Sequence, residues 1–148
     1  MVNPDPSTPL LNRLSSWTPR QALLWKTGAA LATGGIITGA FGAHGLRKRP
    51  GITPDQIHAW ETAASYSVYN GLAMMLVSLH PRFSTHRFAG PLIAAGGAIF
   101  SGSIFALVLA KDRFKGLGPV TPMGGMVMIA GYDLFSIDSR RTDIYGSF

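Results

Sequence analysis

The chain has 148 residues, a net charge of +6 and no cysteine. That length makes one domain. Charged residues are 14% of the total, against about 25% in ordinary soluble domains. Without cysteine there are no disulfides, thiolate zinc sites, CxxC redox centres or cysteine nucleophiles.

The charges are segregated. Thr27–Leu46, Thr62–Leu79, Phe88–Ala110 and Gly116–Tyr132 contain no Asp, Glu, Lys or Arg. A soluble fold scatters charge over every surface helix, so this pattern excludes one. A hydrocarbon core of about 30 Å needs roughly 20 apolar residues of helix, and backbone crossing it must pair internally. Leu92–Ala110 is apolar almost throughout, which does not fit the alternation of a barrel strand. The chain therefore reads as an all-α, four-span transmembrane helical bundle.

In chain order, residues 1–20 are expected to form a disordered polar tail. Asp5 and the low Arg content argue against a transit peptide there. Residues 21–137 form the membrane domain, with spans at about 27–46, 62–79, 88–110 and 116–137, and residues 138–148 are a polar tail. The first span is longer than a signal-peptide core and is read as retained. Trp25 and Lys26, Arg47-Lys48-Arg49, Trp60 and Glu61, Arg87, and Lys111-Asp112-Arg113 flank the spans, as interfacial anchors do. Asp133 interrupts the apolar run of the last span, which predicts a short fourth helix or a snorkelling aspartate. Basic residues are divided seven to six between the two faces, so orientation is undecided. No nucleic-acid footprint results, and the lipid bilayer is the expected partner.

Small residues recur every fourth position: Gly35, Gly39 and Ala43; Ala63, Ser67 and Gly71; then Gly90, Ala94, Ala98, Gly102, Ala106 and Ala110. Gly124-Gly125 and Gly131 follow in the last span. Such positions let membrane helices approach. Gly102 and Ala98 are accordingly expected to face a neighbouring helix, with Leu at either lowering stability.

Polar residues inside a membrane are costly. His44, Glu61, Thr62, Tyr66, Asn70, Ser101, Ser103 and Thr121 come from four spans, and the topology places them in one half of the bilayer. Two readings compete. Either these groups are interhelical glue, or they line a small hydrated pocket with His44 beside Glu61. The first is the commoner use of such residues. In either case they are expected to converge on the bundle interior, with Tyr66 deeper than His44. His80 and His86 fall on the opposite side from His44 and His58, so no haem pair forms within the bundle. No acid stands behind His44 for a Ser–His–Asp arrangement, and the Gly-rich segments lack a P-loop lysine. No enzyme activity and no cofactor are expected.

Gly39-Ala40-Phe41-Gly42-Ala43-His44-Gly45-Leu46, Trp60-x-Thr62-Ala63 with Tyr66, Phe100-Ser101-Gly102-Ser103, and Val120-Thr121-Pro122-Met123-Gly124-Gly125 with Ala130-Gly131 occur in that order. This combination resembles the DUF423 family, which includes the bacterial UPF0382 membrane proteins and the eukaryotic transmembrane protein 256. The resemblance extends from about Thr27 to Tyr132. It implies a four-span membrane protein, admits the mitochondrial inner membrane as a location, and implies no activity. The family pattern has a histidine four residues after the motif tyrosine, where this chain has Asn70. Asparagine keeps a histidine's hydrogen bonds but not its titration. The expected role is a structural or accessory membrane subunit, acting on lipid, other membrane subunits or itself. The alternative is an oligomeric transporter or channel for ions or small solutes.

Overall fold

A computed structural model describes residues 17–80 and 82–145, with side chains as far as residue 137. The expectations for residues 1–16 and for the side chains of 138–148 lie outside those described. Four helices follow one another: α1 (Pro19–His44), α2 (Pro54–Leu79), α3 (Ala89–Leu109) and α4 (Val120–Tyr145). No strand occurs among the described residues.

Two helices start well before their charge-free stretches, for the same chemical reason. Thr18-Pro19-Arg20-Gln21 and Thr53-Pro54-Asp55-Gln56 are both capping boxes. In each, the threonine hydroxyl accepts from the glutamine backbone N–H, while the glutamine side chain accepts from the threonine backbone N–H. Proline occupies the first helical position, where a missing N–H costs nothing. Residues 17–20 are thus the cap and first turn of α1 rather than the end of a tail. At the other end, α4 continues past Asp133 to Tyr145.

The bundle consists of two tight antiparallel pairs joined through α2 and α3. In the α1–α2 seam, a Cβ on Gly28 would lie 2.6 Å from the Gly71 carbonyl oxygen, and one on Gly35 would lie 2.7 Å from that of Ala64. Gly42 holds the indole of Trp60. These contacts run the full length of both helices, so α2 crosses whatever α1 crosses. The α3–α4 seam is built likewise: a Cβ on Gly96 would meet the Met128 backbone nitrogen at 2.5 Å, and Gly131 lies against Ile93.

Among the described residues, three helical segments are long and apolar enough to cross a membrane: Pro19–Lys48, Ala89–Leu109 and Lys115–Ile137. The remaining helix, α2, has 26 residues, about 39 Å of rise, but a more polar composition. Its position explains this. It packs against both α1 and α3 and buries Trp60, Ala63, Ala64, Ser67, Asn70, Gly71, Met74 and Ser78. A helix flanked on two sides need not match lipid on every face, and its buried Asn70 finds a partner on another helix. The outward surface carries Leu23, Ile36, Ile37, Leu76, Met126 and Ile129 exposed, as a lipid-facing surface requires.

Trp60 belongs to the core, not to an interfacial belt. It is 2% exposed, its Nε1–H donates to the Thr38 carbonyl at 2.7 Å, and Phe41 and Phe105 pack on its ring. An indole N–H buried in lipid needs an acceptor, and α1 supplies one because Gly42 lets the ring approach.

The α3 ladder divides in two. Gly90 receives Leu24 of α1, and Ala94 packs on the Leu24–Met74–Ile93 cluster. Beyond it the expectation fails: Ala98 and Gly102 are exposed, and nothing lies within 4 Å of a Cβ on Gly102. The four-residue spacing follows a stripe that winds out of the contact. The true seam residues of α3 are Ala89, Ile93, Gly96 and Gly97, all buried. Ala106 is half-buried. In the other helices Gly35 and Gly124 are seam residues, a Cβ on Gly39 would stand 3.7 Å from the Ala64 Cβ, one on Gly125 would meet the Phe100 ring at 3.8 Å, and Ala43 is exposed.

Candidate functional site

Asn70 is the most enclosed polar side chain of the eight expected, at 2% exposure. Its Nδ2 donates to the Tyr66 carbonyl at 2.8 Å and to the Met128 sulfur at 3.0 Å. Its Oδ1 accepts from the Tyr132 hydroxyl at 2.8 Å. One amide therefore ties α2 to α4 with both its donor and its acceptor used. Gly97 of α3 makes room, because a Cβ there would stand 3.1 Å from Nδ2. The amide serves as a hydrogen-bond node, a role that needs no titration.

Two further joints connect the helices. Ser101 of α3 donates to the Ala63 carbonyl of α2 at 2.8 Å. Ser103 of α3 and Thr121 of α4 share a hydrogen bond of 2.7 Å, and Ser103 also reaches the Phe100 carbonyl of its own helix. Within lipid each such bond is worth about 0.6 kcal/mol. The larger cost is leaving such a group unpaired. No fully enclosed side-chain nitrogen or oxygen lacks a partner among the described residues.

The other expected members do not join them. Tyr66 is 41% exposed, against the rings of Tyr69 and Phe100 on the outer surface. That corrects its expected place deep in the interior: residue 66 falls on the side of α2 away from the seams. Thr62 donates back to the His58 carbonyl at 2.9 Å. Glu61 pairs with Arg47 at 2.7 Å, both half in solvent, and His44 is exposed at the end of α1. The depth expected from topology did not make these residues share one face. Thr121, Ser101 and Glu61 border three separate surface clefts, so the single hydrated pocket with His44 beside Glu61 is not formed.

Three members of this network escaped the sequence reading. Tyr132 and Met128 lie in the last span and complete the Asn70 node, and Trp60 locks α1 to α2. Tyr132, Met128 and Gly131 within one helical turn were a readable signal, since a small residue beside a tyrosine marks a face that another helix can approach. On the opposite side of the bundle, the loop after α2 is held by His80 and His86. The Nδ1 of His80 accepts from the backbone N–H groups of Arg82 and Phe83, and that of His86 accepts from Phe88 and Ala89. His86 thereby caps α3. Among the described residues no group of three His, Cys, Asp or Glu side chains is placed to hold a metal ion.

A glycine-seamed helical bundle with an apolar outer surface and interhelical hydrogen bonds defines a small multi-pass membrane protein. Comparison with known proteins agrees. Residues 38–125 match the family described as protein of unknown function DUF423. A UPF0382 membrane protein of Schizosaccharomyces pombe is 40% identical over 112 residues, covering 74% of this chain and 94% of the relative. A UPF0382 membrane protein of Staphylococcus aureus is 39% identical over 112 residues, covering 74% and 88%. The chain belongs to the DUF423 family. No solved structure matches it.

The matched segment contains every interhelical hydrogen bond described above except those made by Met128 and Tyr132. The motif residues act as joints: Gly42 holds Trp60, Ser101 reaches Ala63, Ser103 meets Thr121, and Gly124 lies against Gly96 and Phe100.

Proposed function

We propose that this chain is a structural or accessory subunit of a membrane, acting through its outer helix faces on lipid and neighbouring membrane proteins, and that it catalyses no reaction. One observation carries the reading: Asn70, Ser101, Ser103 and Thr121 are each engaged in a hydrogen bond to another helix. Side chains engaged in this way hold the bundle together rather than receive a substrate. The α1–α2 and α3–α4 seams are drawn close by backbone contacts at Gly28, Gly71, Gly96 and Gly124, so the paired helices leave little room for a path at those levels.

The test is purification of the tagged full-length chain from its native membrane in a mild detergent. The accessory reading predicts that it travels with a larger, defined membrane protein. A stable symmetric homo-oligomer that confers ion or solute flux on liposomes would replace this reading with the transporter.

A further inference from the structure

Between α1 and α3, above the middle of α2, lies a groove of about 350 Å³. Its walls are small residues, Ala30 and Gly34 on one side and Ala98 and Gly102 on the other. Leu24 seated on Gly90 closes α1 onto α3 at one end, and Phe105, packed at a tilt against Trp60, stands at the other. Ser67 lies in the floor, 7% exposed.

The Ser67 hydroxyl has no hydrogen-bond partner among the described residues, although every fully enclosed polar side-chain atom has one. It is therefore reached from the groove. A serine in a membrane helix normally satisfies itself on a carbonyl three or four residues back, as Ser78 and Ser103 do on Met75 and Phe100. For Ser67 the carbonyl four back is Ala63, to which Ser101 already donates at 2.8 Å, and its hydroxyl is not turned to the carbonyl three back. The structure thus leaves a hydroxyl in the wall of an apolar groove. Ser67 stands midway along Pro54–Leu79, about 18–20 Å from either end of the helix. Ester oxygens of bulk phospholipid sit at the interface, too far away to satisfy it.

Shape decides the occupant. The groove runs from Thr27 to Thr38 along α1, about 16 Å. Leu24 seated on Gly90 brings α1 onto α3 at one end, so the walls converge toward the floor. A helix about 10 Å across does not reach Ser67 between them, whereas a single hydrocarbon chain does.

We propose that this groove binds one slender lipophile bearing a carbonyl oxygen within its hydrocarbon, and that the Ser67 hydroxyl donates to that oxygen. This site is separate from the accessory-subunit reading, since ligand occupancy is measured on the purified chain alone.

The probe is 8-pentadecanone labelled with ¹³C at its carbonyl, titrated into the full-length chain in dodecylmaltoside and followed by infrared spectroscopy. Wild type is expected to give a saturable, hydrogen-bonded carbonyl band. Ser67→Ala should lose that band and bind about threefold more weakly, the effect of one hydrogen bond in a membrane interior. Gly34→Leu should abolish binding while melting like wild type, because nothing lies within 4 Å of a Cβ at that position. Pentadecane should compete for the groove without producing the band. A band that persists in Ser67→Ala, or binding unchanged in Gly34→Leu, overturns the proposal. So does absence of a saturable band in wild type. If wild type is a dimer that Gly34→Leu converts to a monomer, a second copy occupies the groove and the proposal falls.

Discussion

Replacing Gly71 by Ala tests the packing most sharply, because two large effects oppose each other. Alanine favours a helix over glycine by about 1 kcal/mol, so an unpacked glycine should gain from the change. At Gly71 the new methyl would lie 2.5 Å from both the Ala32 backbone nitrogen and the Gly28 carbonyl oxygen. Backbone cannot turn aside as a side chain can, so α1 and α2 must separate by about 1 Å to restore an ordinary contact. Overpacking of this kind costs about 1–3 kcal/mol, and backbone against backbone belongs at the upper end. The net effect is a loss of about 2 kcal/mol, or roughly 8 °C in melting temperature. Gly102→Ala is the control: with nothing within 4 Å of its Cβ, it should melt at or slightly above wild type. The assay is thermal unfolding of both variants in one detergent, followed by circular dichroism. Gly71→Ala melting with wild type, or Gly102→Ala melting as low as Gly71→Ala, would refute the seam assignment.

The remaining predictions concern the joints. In a double-mutant cycle, Asn70→Ala and Tyr132→Phe should couple by about 0.6 kcal/mol, since the Tyr132 hydroxyl donates to Asn70; additive losses would mean the bond contributes nothing. Trp60→Phe should cost about 1–3 kcal/mol through the lost indole hydrogen bond to the Thr38 carbonyl and the vacated space, measured by the same melting assay, and a cost near zero would return Trp60 to the interface. Glu61→Gln should change stability by less than about 0.5 kcal/mol, because its pair with Arg47 is half in solvent and such pairs contribute little. A large, salt-dependent loss would place that pair in a drier setting than the structure gives it.

The helix count and bundle class were legible because lipid imposes them: a charge-free stretch of about 20 residues has few alternatives. Helix starts were equally legible, but in another code. The two Thr-Pro-x-Gln boxes mark residues 18 and 53, whereas the loss of charge marks only where lipid begins. The four-residue ladder misled for a geometric reason. Four residues turn a helix by more than one revolution, so a strict four-residue stripe leaves a straight contact after two or three steps. Gly90 and Ala94 remain on the seam side, while Ala98 and Gly102 open on the groove. Depth in the bilayer follows from topology, which is why the polar residues were expected in one half of the membrane; Asn70 stands about 5 Å past the middle of α2. Azimuth around each helix does not follow from topology, so Tyr66 on the outer surface and Asn70 in the core could not be separated by depth. Ser67 was visible only as a small residue; Ser101 taking the Ala63 carbonyl is a contact between residues 38 positions apart.

The central claim is that the inward polar side chains hold helices together in a dry interior rather than line a path for water. Because the chain has no cysteine, single replacements report on this directly. Ser101→Cys and Asn70→Cys, both at buried positions, are compared with Gly118→Cys, which is exposed beyond the end of α3. Each variant is placed in sealed liposomes and treated with a membrane-impermeant methanethiosulfonate from either side. The account predicts rapid labelling at position 118 and none at 70 or 101; labelling at 70 or 101 at a rate close to that of 118 would contradict it.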